Sequence, residues 1–423
     1  MTLSPRLLRA LEDLLGPGRV VSGPDDVARY LRASAVGVTE AAFTAVARPR
    51  SVDDLAGIAA VAARHRVPLA LRGAGTGPRR PARRGRAPVG RVAVDVRGVS
   101  GVIEVGRGRI AVLPGTVLRA ADEAARGTGQ ELAVLPATRD VATASGFVSG
   151  GAGGLGSASH GELADGNVLA VELLTVEEEP RLIRLEGEEV AAVLGARGAS
   201  GILTRIELRL VPARGYTAFC GVFTTFDACC RFGWDVVESG LGARMVSLHG
   251  DPSDSLPTSA SDLCPDGPVA LVWIDSSAVD ELLALAARHG GLLMSWPDDD
   301  TRLPYSHHHL WPSGSRKPPS WVRAEYAAGE RERFLAQVRA SSGRPSGVYL
   351  SHLELQRTRQ GGVRCLGFPP VTEPGPRPLD ELRTVCASYG MTLITGDPAD
   401  TPASTSLRRA TDPHNLLSAP PTR

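Results

Sequence analysis

Arg72-Gly73-Ala74-Gly75-Thr76-Gly77 follows directly on the apolar run VPLAL. Glycines in succession let backbone N–H groups turn inward as a nest for an anion such as a diphosphate, where a Cβ would block the approach. A tight turn without a ligand is the competing reading. The segment is not a Rossmann fingerprint, because GAGTGPRRPARR supplies no helix start after the glycines. The five arginines from Arg79 to Arg86 read as a solvated loop. A second stretch, residues 142–167, holds eight glycines. At about 1 kcal/mol per glycine against alanine it cannot form a long helix. A turn and a glycine tract about seventy residues apart are hard to explain by packing in an ordinary α/β domain, and they suggest two loops approaching one ligand.

Acid–base candidates lie in the second half. Tyr305-Ser306-His307-His308-His309-Leu310 offers imidazoles, the usual base near neutral pH. Three consecutive histidines could hold a metal, but alternate side chains of a strand face opposite ways and no acidic residue adjoins, so no metal is expected. In GVYLSHLEL the alternation places His352, Glu354 and Gln356 on one face. That face is either a polar sheet surface, the favoured reading, or a base held by a carboxylate. Tyr305, Arg323 and Tyr326 are further candidates.

The elements that must position these residues follow from length and pattern. A chain of 423 residues exceeds one ordinary core, so two domains are expected. With 47 basic and 46 acidic residues the net charge of +1 offers no field for nucleic acid. No apolar run spans a bilayer, and MTLSPRLLRALEDLLG is an amphipathic helix rather than a signal peptide, so a cytoplasmic protein is expected. The six cysteines show no metal or disulfide spacing. From residue 43 a strand, a helix over SVDDLAGIAAVAARHR and the strand VPLALRG form a βαβ unit. VAVDV, RIAVLPG, a helix from Thr116 to Gly127, VLAVELLTV, RLIRL and GILTRIELRLV follow, with a boundary at Pro212 to Gly215. Beyond it, AFCGVFT, a helix over Phe226 to Ser239, RMVSLHG, VALVWID, a helix over Ala278 to His289 and GLLMSW make two strand–helix–strand repeats, like a ferredoxin-like cap. The expected domains are an N-terminal helical segment (1–42), a cofactor domain (43–213), a cap for the substrate (214–400) and a tail returning to the cofactor domain (401–423).

The span from ARPRSVDDL through LRGAGTG, LPATRDVATASGFVSGGAGGLGSASHGELADGNVLAVELLTV and GARGASGILTRIELRLVP resembles the FAD-binding domain of the vanillyl-alcohol oxidase and p-cresol methylhydroxylase (PCMH-type) superfamily. It is closest to a bacterial subgroup reading GGFVAGGSGGIGS. The resemblance implies an α+β fold: a two-lobed PCMH-type FAD-binding domain plus the ferredoxin-like α+β cap. It implies that Arg72, Gly73, Ala74, Gly75, Thr76 and Gly77 cradle the pyrophosphate, and that Pro136, Thr138, Thr143 and Gly146 line the flavin and ribityl chain. Gly150, Gly151, Gly153, Gly154 and Gly156 would pass close to the dinucleotide, and Ile202, after Gly201, would offer backbone contacts toward the adenine. Asn167 stands in the family's Gly-Asn-Val. The family's common Tyr-Gly is here His160-Gly161, and a second glycine of its motif is Ser145.

Covalent attachment in the superfamily commonly uses a histidine in the first loop or a cysteine before the second. Thr76 holds the first position and no cysteine precedes Cys220, so FAD is expected to be non-covalent. The subgroup's W-N-H-T-T-L motif places His307 on a family histidine. His249-Gly250-Asp251 matches only three letters of a hydroxy-acid dehydrogenase strand, so that chemistry is disfavoured. The tail LRRATDPHNLLSAP lacks the family's closing Asn-Pro-Gly at Ser418. The expected activity is a two-electron FAD-dependent oxidation of a small organic molecule, possible in specialised metabolism, by a monomer or homodimer. The alternatives are a structural flavin beside a non-redox cyclisation or elimination, and a binding protein that has lost its flavin.

Overall fold

The computed structural model describes residues 4–34, 43–76, 90–251, 264–297, 320–321, 323–326, 330–342, 352–367, 370–371, 376–388, 390–394 and 401–417. Helix α1 (Pro5–Leu15) starts at Ser4, whose hydroxyl accepts from the Leu7 N–H. Leu7, Leu11 and Leu15 recur at helical spacing and form its buried stripe, which packs on α3 (Val52–His65). Helix α2 (Pro24–Ser34) lies between them in sequence.

Strands β1 (Val20–Ser22), β2 (Phe43–Ala47), β3 (Leu69–Arg72) and β4 (Arg91–Asp95) form a sheet in the order β1-β2-β4-β3. β1 is antiparallel and the other pairs are parallel. β4 is buried along its whole length, which is why its centre, Val92-Ala93-Val94, is apolar on both faces, between the buried charges of Arg91 and Asp95. The parallel strands all end on one edge, at Ala47, Arg72 and Asp95, and the first glycine loop starts there.

The second lobe is an antiparallel sheet of β5 (Val102–Gly106), β6 (Arg109–Val112), β10 (Ile202–Pro212), β8 (Val168–Leu174) and β9 (Leu182–Glu186), with β7 (Gln130–Leu132) on the far end of β10. Between its strands come α4 (Leu118–Arg126), α5 (Ala144–Gly150) and α6 (Ser157–His160). The last two fall within the glycine-rich stretch, and both are short.

The cap carries more internal symmetry than its sequence suggested. β11 (Tyr216–Val222), α7 (Phe226–Ser239), β12 (Met245–His249), β13 (Val269–Asp275), α8 (Val279–Arg288) and β14 (Leu292–Ser295) give the strand order β14-β11-β13-β12, that of a split βαβ unit. β15 (Ser320–Trp321) and β19 (Pro370–Val371) pair separately. β16 (Arg323–Glu325), α9 (Arg331–Ser342), β17 (His352–Arg357), β18 (Val363–Gly367), α10 (Pro376–Ser388) and β20 (Thr392–Ile394) repeat the unit in reverse spatial order, β17-β18-β16-β20. Antiparallel pairing of β12 with β17 fuses the two into one eight-stranded sheet.

Alternation along the central strands assigns the two faces. Val246, Leu248, Leu353 and Leu355 pack with Phe232, Trp234 and Phe334 of the cap helices. Met245 and Leu271, on the opposite face, share a core with Phe147, Leu155 and Leu208 of the second lobe. The interface also holds the buried Glu131, which takes hydrogen bonds from Arg126, Tyr216 and Arg244, the last at 3.0 Å. After α11 (Pro402–Thr411) the chain runs beside β3, where the Leu69 N–H donates to Leu416 O at 2.8 Å and Leu417 bridges Leu69 in parallel. Asp412 fixes this turn by accepting from the Leu416 and Leu417 N–H groups at 2.8 and 2.6 Å. No described helix is long and apolar enough to cross a membrane.

Candidate active site

Arg72 is the last residue of β3 and stands opposite Asp95 in the ladder. Its guanidinium is buried, and neither terminal nitrogen has a hydrogen-bond partner among the described residues. Burial pulls its pKa below the ordinary arginine value, opposed by Asp95. A buried, unpaired guanidinium is costly unless an anion completes it. The donor set and its place at the mouth of the glycine loop fit the diphosphate of FAD.

The two loops meet. A Cβ on Gly73 would lie 2.1 Å from Thr143 Oγ1, so only glycine allows the first loop to rest on this residue. Thr143 in turn caps α5, accepting from the Gly146 N–H at 3.3 Å. Ala74, Gly75 and Thr76 continue the loop, with Gly75 at φ +73°. Gly77 lies outside the described residues, as do the arginines that follow it.

Much of the glycine content of the second loop has a packing origin, contrary to the sequence argument. Ideal Cβ atoms would lie 2.3 Å from Gly195 N at Gly151, 2.0 Å from Leu135 O at Gly154, and 1.9 Å from Ala133 O at Gly156. At Gly153 the nearest atom would be Ser157 Oγ, 2.7 Å away. Chain approaches chain at these positions, whereas Gly150 faces open space within 4 Å. The Leu135–Leu155 bridge, with hydrogen bonds of 2.9 and 2.6 Å, fixes the segment leading into Pro136 and Thr138, and Thr138 O accepts from the Ala142 N–H. Gly201, at φ +121°, opens β10, and the Ile202 side chain is wholly buried beside Leu174 and Leu417. Asn167 donates to the carbonyls of His160 and Glu162 at 2.8 and 2.7 Å, so it shapes that turn, where Gly161 sits at φ +75°. Burial lowers the His160 pKa to about 4, so its ring is neutral.

The cap supplies the groups with acid–base chemistry. His352, Glu354 and Gln356 do share one face of β17, but they are fully buried, so the exposed polar surface favoured from sequence does not exist. The register pairs Ser247 with Glu354 and His249 with His352, which puts these four side chains on the face that Met245 turns toward the FAD-binding lobes. Ser247 Oγ lies 3.0 Å from both His249 Nε2 and His352 Nε2. The two rings stack with centroids 4.6 Å apart, and Glu354 Oε1 is 3.5 Å from His352 Nε2.

One hydroxyl carries one proton, so Ser247 can donate to one ring only and accepts from the other, linking the imidazoles in a relay. Burial drives the His249 pKa down to about 3 against the pull of Glu354. The arrangement is not a hydrolytic triad, because serine and carboxylate approach the same nitrogen of His352 instead of opposite ones.

Beside this cluster, Glu162 of the second lobe receives Arg323 at 2.9 and 3.0 Å, and Arg364 reaches Asp165 at 3.2 Å and Gln356 at 3.2 Å. Arg323 is thus part of an ionic lock between cap and lobe. Tyr326 sits in the helix-side core, edge-on to Phe334. Tyr305 and His307 lie outside the described residues. The sequence reading missed Ser247, His249, Glu162 and Arg364. The Ser-x-His alternation in RMVSLHG is the local signal for the first two.

Two α+β lobes meet at a glycine-lined junction and are covered by a sheet whose inner face carries titratable groups. Residues 43–181 match the family model described as FAD binding domain. Among solved structures, an alkyldihydroxyacetonephosphate synthase aligns at 15% identity and TM-score 0.68, over 98% of this chain and 84% of that one. p-Cresol methylhydroxylase with substrate bound aligns at 14% and 0.66, over 97% and 95%. A variant of Phl p 4, a glucose dehydrogenase, aligns at 14% and 0.65, over 98% of each chain. A search of curated protein sequences finds no match. The match over residues 43–181 supports FAD binding by this part of the chain, and the whole chain shares the PCMH-type α+β fold of these structures.

Proposed function

We propose that the protein is an FAD-dependent oxidoreductase that removes two electrons from a small organic substrate held between the cap sheet and the lobes. The buried Ser247–His249–His352–Glu354 cluster carries this reading. FAD, held without a covalent bond since Thr76 occupies the loop position and no cysteine precedes Cys220, supplies the electron sink. Oxidation at carbon also needs a group to take a proton. His352 is suited to that, with Glu354 beside it to stabilise the imidazolium and Ser247 and His249 to pass the proton on. Arg323 and Arg364 are already neutralised by Glu162 and Asp165, which favours a substrate without a carboxylate anchor.

The test is anaerobic flavin bleaching by a panel of small alcohols, hydroxy acids and phenols, in the unaltered protein and in His352→Ala. The reading expects at least one bleaching substrate, and a His352→Ala protein that keeps its yellow flavin but bleaches about a hundredfold or more slowly. Equal bleaching in the variant would remove His352 from the chemistry. Repeated anaerobic turnover of a substrate with the flavin kept fully reduced and no electron acceptor present would show a non-redox reaction instead. Acid precipitation that leaves the flavin with the protein would overturn the non-covalent assignment.

A further inference from the structure

A cavity of about 700 Å³ opens at the end of the first sheet, walled by Arg19, Tyr30, Arg48, Arg50, Asp95 and Arg97. None of its lining residues comes from the second lobe or from the glycine loops, but Arg72 at the mouth of the first loop stands opposite Asp95 and feels the charges of Asp95, Arg97 and Tyr30, so the cavity adjoins the junction read above as the flavin site. The N-terminal segment builds it. β1 pairs antiparallel with β2, and the Arg48 N–H donates to Arg19 O at 2.9 Å, which sets two arginines side by side on one rim. Arg50 follows two residues later, and Arg97 enters from the end of β4.

The acids nearby are already engaged. Asp95 accepts from Arg97 Nε at 2.9 Å and Nη2 at 2.6 Å and from Tyr30 Oη at 2.5 Å. Asp54 accepts from Arg19 at 2.7 Å and from the Arg50 N–H at 2.7 Å. Arg48 stacks over the Tyr30 ring at 5.6 Å, and no described carboxylate pairs with Arg48 or Arg50. With Arg19 balanced by Asp54 and Arg97 by Asp95, Arg48 and Arg50 leave the site with a surplus of two positive charges. Neighbouring like charges on paired strands are unfavourable unless something opposite lies between them. The volume falls within the range of small-molecule sites.

We propose that this cavity is a second ligand site that takes a small polyanion bearing phosphate groups, with Arg48 and Arg50 as its free guanidinium clamps and Arg19 and Arg97 as charges held in place by their aspartates. Fork-shaped guanidinium donors suit phosphate oxygens.

The test is calorimetric titration of inorganic pyrophosphate into the flavin-loaded protein, in parallel with citrate. We expect one saturable pyrophosphate site per chain, unchanged flavin absorption, weaker binding as salt is raised, and a loss of roughly tenfold or more in affinity in Arg48→Ala/Arg50→Ala. Both side chains are exposed, and a circular dichroism spectrum and melting curve matching the parent will show that the variant is folded. Absence of saturable binding overturns the proposal, as does binding indifferent to the two substitutions. Release of flavin by pyrophosphate would place the anion in the cofactor's own site and equally overturn it. Tighter citrate than pyrophosphate would refute the phosphate assignment. None of these outcomes depends on redox turnover.

Discussion

Replacing Arg72 by methionine should move the protein in opposite directions with and without its cofactor. Methionine keeps the unbranched stem as far as the position of Nε and drops the end of the guanidinium, with the two terminal nitrogens that find no partner among the described residues. An unsatisfied buried polar group costs about 1–3 kcal/mol, and more when charged. The flavin-free variant should therefore gain about that much, roughly 2–10 °C in melting temperature for a protein with domains of this size. With FAD bound, the same nitrogens would make two charge-assisted hydrogen bonds of about 1.5–3 kcal/mol each. Their loss amounts to roughly 3–6 kcal/mol, or about a hundredfold to ten-thousandfold in FAD affinity. The measurements are a melting curve on deflavinated protein and a titration of FAD by fluorescence quenching. If Arg72→Met destabilised the apoprotein and left FAD binding untouched, the guanidinium would be a packing element and the diphosphate would have to sit elsewhere.

Two glycines four residues apart separate packing from ligand contact. Gly154→Ala drives a Cβ to 2.0 Å from Leu135 O and should cost about 1–3 kcal/mol or more in a urea unfolding series, with or without flavin. Gly150→Ala meets no protein atom within 4 Å and lies in α5, so it should stabilise the apoprotein by about 0.4–1 kcal/mol while weakening flavin retention if the dinucleotide passes there. The neutral buried histidines predict acid sensitivity. His249, held near a pKa of about 3, and His160, near about 4, would titrate at about 6.5 in the unfolded chain. Between those values the unfolded state binds more protons, so stability is complete above about pH 6.5 and falls as the pH drops toward 4 and then 3. The slope from His249 approaches about 1.4 kcal/mol per pH unit, with less from the partly exposed His160. Urea midpoints at pH 7, 6 and 5 will measure it, and a slope unchanged in His249→Gln would show that another group is responsible.

What could be read from the chain divides by the distance over which each feature is encoded. The helices over Val52–His65 and Phe226–Ser239 and the strand Val269–Asp275 stand where periodicity put them, because each is written in its own segment. Strand β5 escaped notice because Val102 and Ile103, next to each other, are both exposed and break the alternation. The glycine tract was correctly seen as demanding unusual backbone. Its composition could not say whether a ligand or the chain itself came close, and at Gly151, Gly154 and Gly156 the close neighbour is the chain.

The polar face of the cap sheet is the least legible part for the same reason. Ser247 and His352 are 105 residues apart, and what makes them partners is the edge-to-edge joining of two βαβ units across β12 and β17, for which neither strand carries a local mark. Once that pairing forms, its register does the rest: a one-residue slip would turn His352 and Glu354 into the helix core and Leu353 into the cleft. The leucines at 248, 353 and 355 that fill the helix side therefore also specify which polar groups meet above the FAD-binding lobes. In this cap the hydrophobic pattern of one face assembles the chemistry of the other.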